Sequence, residues 1–177
     1  MDRANPIGTL SDSKKRLESY RQLYHAVNEV PLSTEEAEGL LSLLEKETDE
    51  FCRIEIWRNL LSVPAQDKIK EKALSILKNT KDYERYYAIL YVLRHYPEMF
   101  DILWKDYSQD FDPNVRYRLA DSLLDKNEDK ALSMMIDILP EAGKIIGNHE
   151  VCDAIELTIF ESGKEKYIKQ LKELRGN

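Results

Sequence analysis

The chain is poor in the residues that staple or interrupt a fold. It has 2 Cys, 6 Gly and 6 Pro among 177 residues. The cysteines, Cys52 and Cys152, lie 100 residues apart. That spacing offers no disulfide framework and points to a reducing cytoplasm. Low Gly and Pro exclude the many tight turns of an all-β sandwich. Long apolar runs are missing too. The longest, Ala88 to Leu93, is interrupted by Tyr91, far short of the ~18 apolar residues a membrane span needs. No membrane partner is expected. Residues 1–6 lack the charged-then-apolar form of a secretory leader. A basic patch is also absent. The formal net charge is -7, and even the most basic segment, 48–79, holds 6 basic against 5 acidic residues. Nucleic acid is therefore not expected as the main partner. With 42% hydrophobic and 33% charged residues, the chain is neither collagen-like nor disordered.

What is present is helical punctuation from end to end. Residues 1–10 are polar and aperiodic, which predicts a flexible N-terminus ahead of a single domain over 11–177. Ser13 is placed to cap a helix reaching Val30, before Pro31. Ser33-Thr34-Glu35-Glu36 reads as a capping box. Asp49 caps a helix to Val63. Further helices are predicted over 65–78, 80–96, 98–107, 112–125, 128–139, 148–161 and 164–174. Asp112-Pro113 is a preferred cap followed by proline at the first helical position. Pro140 to Gly147 reads as the longest loop. No segment alternates like a strand.

Self-comparison shows a repeat. Arg53 is followed by Ile56, Trp57, Leu60 and Leu61. Arg85 is followed by Ala88, Ile89, Val92 and Leu93. Arg116 is followed by Leu119, Ala120, Leu123 and Leu124. The three align without a gap, with the arginines 32 and 31 residues apart. A degraded fourth copy has Cys152 in the arginine slot, then Ile155, Ile159 and Phe160. Positions three, four, seven and eight after the arginine share one helical stripe. A second amphipathic helix follows each copy. Such a period predicts stacked helical hairpins, each burying its stripe against its neighbours.

The segment Asp112-Pro113-Asn114-Val115-Arg116-Tyr117-Arg118-Leu119-Ala120 resembles the first-helix signature of HEAT-like repeats. The resemblance covers about 49–124. It implies an all-α, right-handed α-solenoid of about five HEAT-like hairpins. It also implies a ladder of turn Asp and following Arg: Asp49 with Arg53, Asp112 with Arg116, and Arg85 between them. The position four before Arg85 is Lys81, so the middle rung departs from the pattern. The repeat phase of these arginines favours structural ion pairs over a clamp for phosphate or carboxylate.

Catalytic signatures are thin. His25, His95 and His149 lie on separate predicted helices. No zinc-ligand spacing, phosphate loop or nucleophile elbow occurs. Cys52 and Cys152 read as small apolar helix residues. No metal, cofactor or enzymatic activity is expected.

One surface feature comes from the repeat. Tyr83, Tyr87 and Tyr91 are four residues apart, and Arg94 continues the row. The equivalent positions in the sibling copies are largely polar. Tyrosine and arginine are common binding anchors, so the row reads either as a contact surface or as a more deeply buried helix. Trp104 and Tyr107 extend either reading. Trp57 falls in the buried stripe. Acidic residues gather at Asp121, Asp125, Glu128, Asp129 and Asp137, a solvated face or a dock for a cationic protein.

These features point to non-catalytic protein binding. The sharpest expectation is an immunity or antitoxin protein that occludes a basic toxin such as a nuclease, its acids imitating phosphates. A HEAT-like DNA glycosylase and an adaptor or assembly factor are the alternatives.

Overall fold

The computed structural model describes residues 7–81, 83–145 and 148–176. Among them are ten α-helices and no strand: α1 Ser13–Glu29, α2 Thr34–Lys46, α3 Glu50–Leu60, α4 Asp67–Asn79, α5 Glu84–His95, α6 Phe100–Tyr107, α7 Pro113–Asp121, α8 Glu128–Ala142, α9 His149–Glu161 and α10 Glu165–Arg175. Among the described residues no helix is long and apolar enough to cross a membrane. The contacts group the chain into two compact units, one through Pro97 and one from Glu98.

In the first unit α1 packs on α3, α3 on α5, α2 on α3 and α4 on α5. In the second, α7 packs on α6, α8 and α9, while α10 packs on α8 and α9. The stripes that follow the repeat arginines form the core. Ile56, Trp57, Leu60, Ala88, Ile89, Val92, Leu119 and Ala120 have no exposed surface. In the degraded copy Ile155 and Ile159 are buried, but Phe160 is 47% exposed.

Local chemistry sets the helix ends. Ser33 and Glu36 form the reciprocal capping box of α2, Asp49 caps α3 through the Cys52 N–H, and Asp112 caps α7 with Pro113 at its first position. Three expectations shift. Asp12, not Ser13, caps α1, because its carboxylate accepts from the Lys14 N–H. Thr80 does not start α5. Its hydroxyl donates back to the Ile76 carbonyl and ends α4, the usual competition of a threonine with the backbone. α8 runs past Pro140 to Ala142, so the expected loop begins later, and Ile146 and Gly147 lie outside the described residues. Of the expected flexible terminus, residues 1–6 lie outside the described residues. Ile7–Thr9 is a 3₁₀ turn packed against α1, with Ile7 buried.

Two of the three repeat arginines close the carbonyl ends of preceding segments. Arg53 donates to the Leu44 and Glu47 carbonyls at the end of α2, and Arg85 to the Leu77 carbonyl near the end of α4. A cation there meets the negative end of the helix dipole. Arg16 belongs to the same series. It donates to the Leu10 and Ser11 carbonyls, and its Nε and Nη2 each bond Glu47 at 2.8 Å. Glu47 also accepts from the Thr48 and Asp49 N–H groups at 3.0 Å. Burial pushes the Glu47 carboxyl up, but Arg16 and these backbone donors outweigh it and hold the pKa below the ordinary 4.5. The folded state therefore binds this proton more weakly than the unfolded chain. The resulting stability is complete above pH 4.5 and is lost as pH falls through the lowered folded value. Glu47→Gln should lose less stability than the parent on acidification below pH 4.5. Denaturation midpoints measured across that range check this, and parallel curves would refute it.

Candidate functional site

The tyrosine row divides. Tyr83 and Tyr87 are half-buried at the start of α5, and with Tyr86 they form a ring cluster. Tyr83 stacks on Tyr86 at 5.5 Å, and Tyr87 meets Tyr86 edge-on at 5.0 Å and Tyr83 at 5.9 Å. Tyr91 is different. It has no exposed surface, so it cannot serve as a contact residue. Its hydroxyl accepts from the Gln66 N–H at 3.1 Å and lies 3.4 Å from the Pro64 carbonyl, which it donates to. The cause is helical winding. A four-residue step overshoots one turn by about 40°, so eight residues carry the row about 80° around the axis, from surface to core. Arg94 is exposed, and its guanidinium donates to the Leu61 carbonyl at 3.2 Å. Tyr86 is the member the four-residue row misses. Its signal is the three- and four-residue spacing of Tyr83, Tyr86 and Tyr87.

In the second unit one aromatic candidate, Trp104, sits beneath a cation, as does its neighbour Phe100. Lys130 lies 4.1 Å above the half-buried Trp104 ring, and Lys126 lies 4.2 Å above Phe100. Tyr107 is half-buried near the end of α6. The acidic group divides as well. Asp121 accepts from Arg118 at 3.2 Å, and Lys164 bridges Glu128 at 2.7 Å and Asp129 at 3.0 Å. The hydrogen bond and charge of Lys164 hold the Asp129 carboxyl below its ordinary value. Asp125, Glu128 and Glu161 instead line a hollow of about 270 Å³ with Leu124, Thr158 and Ser162. Among the described residues Asp125 and Glu161 have no cation of their own. Asp137 is exposed on α8.

The ladder has different partners from those expected. Asp49 and Asp112 turn their carboxylates onto backbone N–H groups of their own helices. Arg53 pairs with Glu84, the first residue of α5, and Arg116 with Glu141. Trp57 also donates to Glu84, at 3.1 Å.

Neither thiol is activated. Burial pushes Cys52 up to about 12, and its Sγ donates to the Ser13 carbonyl at 3.4 Å. Burial also raises Cys152. His25 and His149 are exposed. His95 is half-buried, and burial lowers its pKa. Among the described residues no three His, Cys, Asp or Glu side chains are grouped to hold a metal. No protein-family model, curated protein or solved structure matches the chain.

Proposed function

We propose that the chain is a non-catalytic protein-binding domain of HEAT-like α-solenoid architecture, and that it acts as an immunity or antitoxin protein occluding a basic partner. The helix contacts support the architecture. Within the first unit the leading helices α1, α3 and α5 lie side by side. In the second, α7 lies beside α9 and α8 beside α10. Rows of leading helices side by side are one part of the neighbour pattern of stacked hairpins.

The observation that carries the basic partner is the hollow lined by Asp125, Glu128 and Glu161. Lys164 is shared between Glu128 and Asp129, so the group keeps a net negative charge, and Asp125 and Glu161 remain for a lysine or arginine from outside. A negative rim also speeds encounter with a cationic protein at low salt.

The test is titration calorimetry and stopped-flow association against the products of adjacent genes, basic ones first. It should be run at about 50 and about 300 mM salt, on either side of a Debye length near 8–10 Å. One tight partner is expected, with an association rate that falls steeply with salt. The paired Asp125→Lys and Glu161→Lys variant should weaken it about tenfold or more. Salt-insensitive binding, or an unaffected double variant, would overturn the reading. An adaptor is the second reading, favoured by the separate tyrosine cluster on the first unit. Several stable partners in the same titrations would select it.

A further inference from the structure

We propose that the face of the first unit formed by α1, α3 and α5 binds a carboxylate-bearing peptide segment of a partner protein. This goes beyond the basic partner of the second unit and calls for the opposite charge.

The central feature is an imbalance of charge. Arg21 of α1 and Arg58 of α3 converge on one carboxylate, Glu55. Arg21 Nε lies 3.3 Å and Arg58 Nη1 3.2 Å from the same oxygen, Oε1, and Arg58 reaches Oε2 at 3.5 Å. The Glu55 side chain is 5% exposed, whereas those of Arg21 and Arg58 are 51% and 43% exposed. Two guanidinium charges thus share one buried negative charge, and their outer edges face solvent. Each guanidinium presents five N–H donors in a planar fork, and most remain for an incoming acceptor. Carboxylate is the group that this fork takes in bidentate fashion.

The site is also held in place. The Arg58 guanidinium lies 5.0 Å above the Tyr24 ring. Burial draws the Arg58 pKa down, but Glu55, Tyr87 and Tyr24 outweigh it and keep it above its ordinary value. Tyr87 thus lies within electrostatic range of the same guanidinium, and it belongs to the ring cluster at the start of α5. On α3, Phe51 lies one turn before Glu55 and is 65% exposed. A cation pair whose Arg58 is set on Tyr24, with the exposed Phe51 on the same helix as Arg58, has the make-up of a peptide hot spot: aromatic area with arginine anchors.

Nucleic acid offers anions too, but two arginines supply too few phosphate contacts for a chain of net charge -7, since that affinity grows with the number of phosphates neutralised. An acidic segment carrying an aromatic or aliphatic side chain beside its carboxylates matches both halves of the face.

The experiment is fluorescence anisotropy on the full chain with a labelled decapeptide rich in glutamate around a central phenylalanine. Its controls are the same peptide with every glutamate replaced by glutamine, and a labelled oligothymidine of equal length. The glutamate peptide should bind about tenfold or more tightly than the glutamine peptide, a difference of about 1.4 kcal/mol, and should weaken with salt. Arg21→Gln with Arg58→Gln should abolish the difference. Because that pair strands a buried Glu55, the triple variant adding Glu55→Gln removes the charge group as a whole. Equal binding of the two peptides, tighter binding of oligothymidine, or full binding by a folded triple variant would each overturn the proposal. Should neither arginine variant fold, the two-peptide comparison on the parent chain decides it. Asp125→Lys with Glu161→Lys should leave the peptide affinity intact, so this result and that of the basic-partner titration stand apart.

Discussion

Arg53→Ala is expected to cost about 3–5 kcal/mol of folding free energy, the range for removing one partner of a buried pair. The Glu84 side chain is 4% exposed and that of Arg53 22%. Arg53 engages both Glu84 oxygens and also donates to the Leu44 and Glu47 carbonyls at 2.6 and 2.7 Å. Among the described residues its removal leaves Glu84 with the Trp57 N–H as side-chain partner and takes a donor from two carbonyls at the end of α2. Glu84 must then be buried as an uncompensated charge or take up a proton. Domains of this size are stable by only about 5–15 kcal/mol, so the melting temperature should fall by about 6–20 °C. The double variant Arg53→Met with Glu84→Met separates two meanings of that loss. Replacing both partners by apolar groups of similar length removes the stranded charge, and much of the stability should return. Arg116→Ala is the internal control. The Arg116 side chain itself is 13% exposed, but that of its partner Glu141 is 52% exposed, so its removal strands no buried carboxylate and should cost clearly less than Arg53→Ala. Urea denaturation of the four proteins settles the matter. Equal losses for Arg53→Ala and Arg116→Ala would mean that burial does not distinguish the rungs.

These rungs show what was legible in the chain and what was not. The spacing of Arg53, Arg85 and Arg116 is visible because each sits in fixed phase with a buried stripe, and stripe and arginine recur together. Their partners are not visible. An Asp four residues before an Arg looks like a pair on a helical wheel, yet a capping carboxylate is committed to the N–H groups of its own first turn. The arginine then turns to carbonyls and to a glutamate 31 residues onward, as in both Arg16–Glu47 and Arg53–Glu84. Such partners lie 31 residues further along the chain and leave no local pattern. Arg16 itself was readable. Asp12 and Arg16 repeat the spacing of Asp49 with Arg53 and Asp112 with Arg116, but Arg16 lacks the isoleucine–tryptophan stripe that marks the first copy. The acidic group failed in the same way. Asp129 has its cation 35 residues away at Lys164, so residues that cluster along the chain were only partly unpaired in space. The pairing of Arg21 and Arg58 on Glu55 likewise joins α1 to α3 and has no counterpart in linear sequence.

Tyr91→Ala and Tyr87→Ala should part company, although the two residues are one turn apart on α5. Truncating a fully buried aromatic costs about 3–5 kcal/mol, and Tyr91 has no exposed surface. Its ring lies 4.6 Å from His95, and its hydroxyl bonds the Gln66 N–H, where α4 has no side-chain cap. Tyr87 is half-buried and makes edge-on contacts with Tyr83 and Tyr86, and aromatic pairs of that kind contribute about 0.5–1.5 kcal/mol. Tyr91→Phe keeps the packing and should lose about 1 kcal/mol with the hydroxyl. A second readout isolates that hydroxyl. Burial pushes the Tyr91 phenol from its ordinary 10 up to about 12, so the folded protein holds this proton where the unfolded chain has released it. Its contribution is intact below pH 10 and drains away as pH rises through 12. Tyr91→Phe should therefore flatten the alkaline loss of stability. Urea midpoints between pH 9 and 12 read both effects at once. If Tyr87→Ala unfolds the protein as readily as Tyr91→Ala, the whole row belongs to the core and Tyr87 drops out of the proposed peptide face.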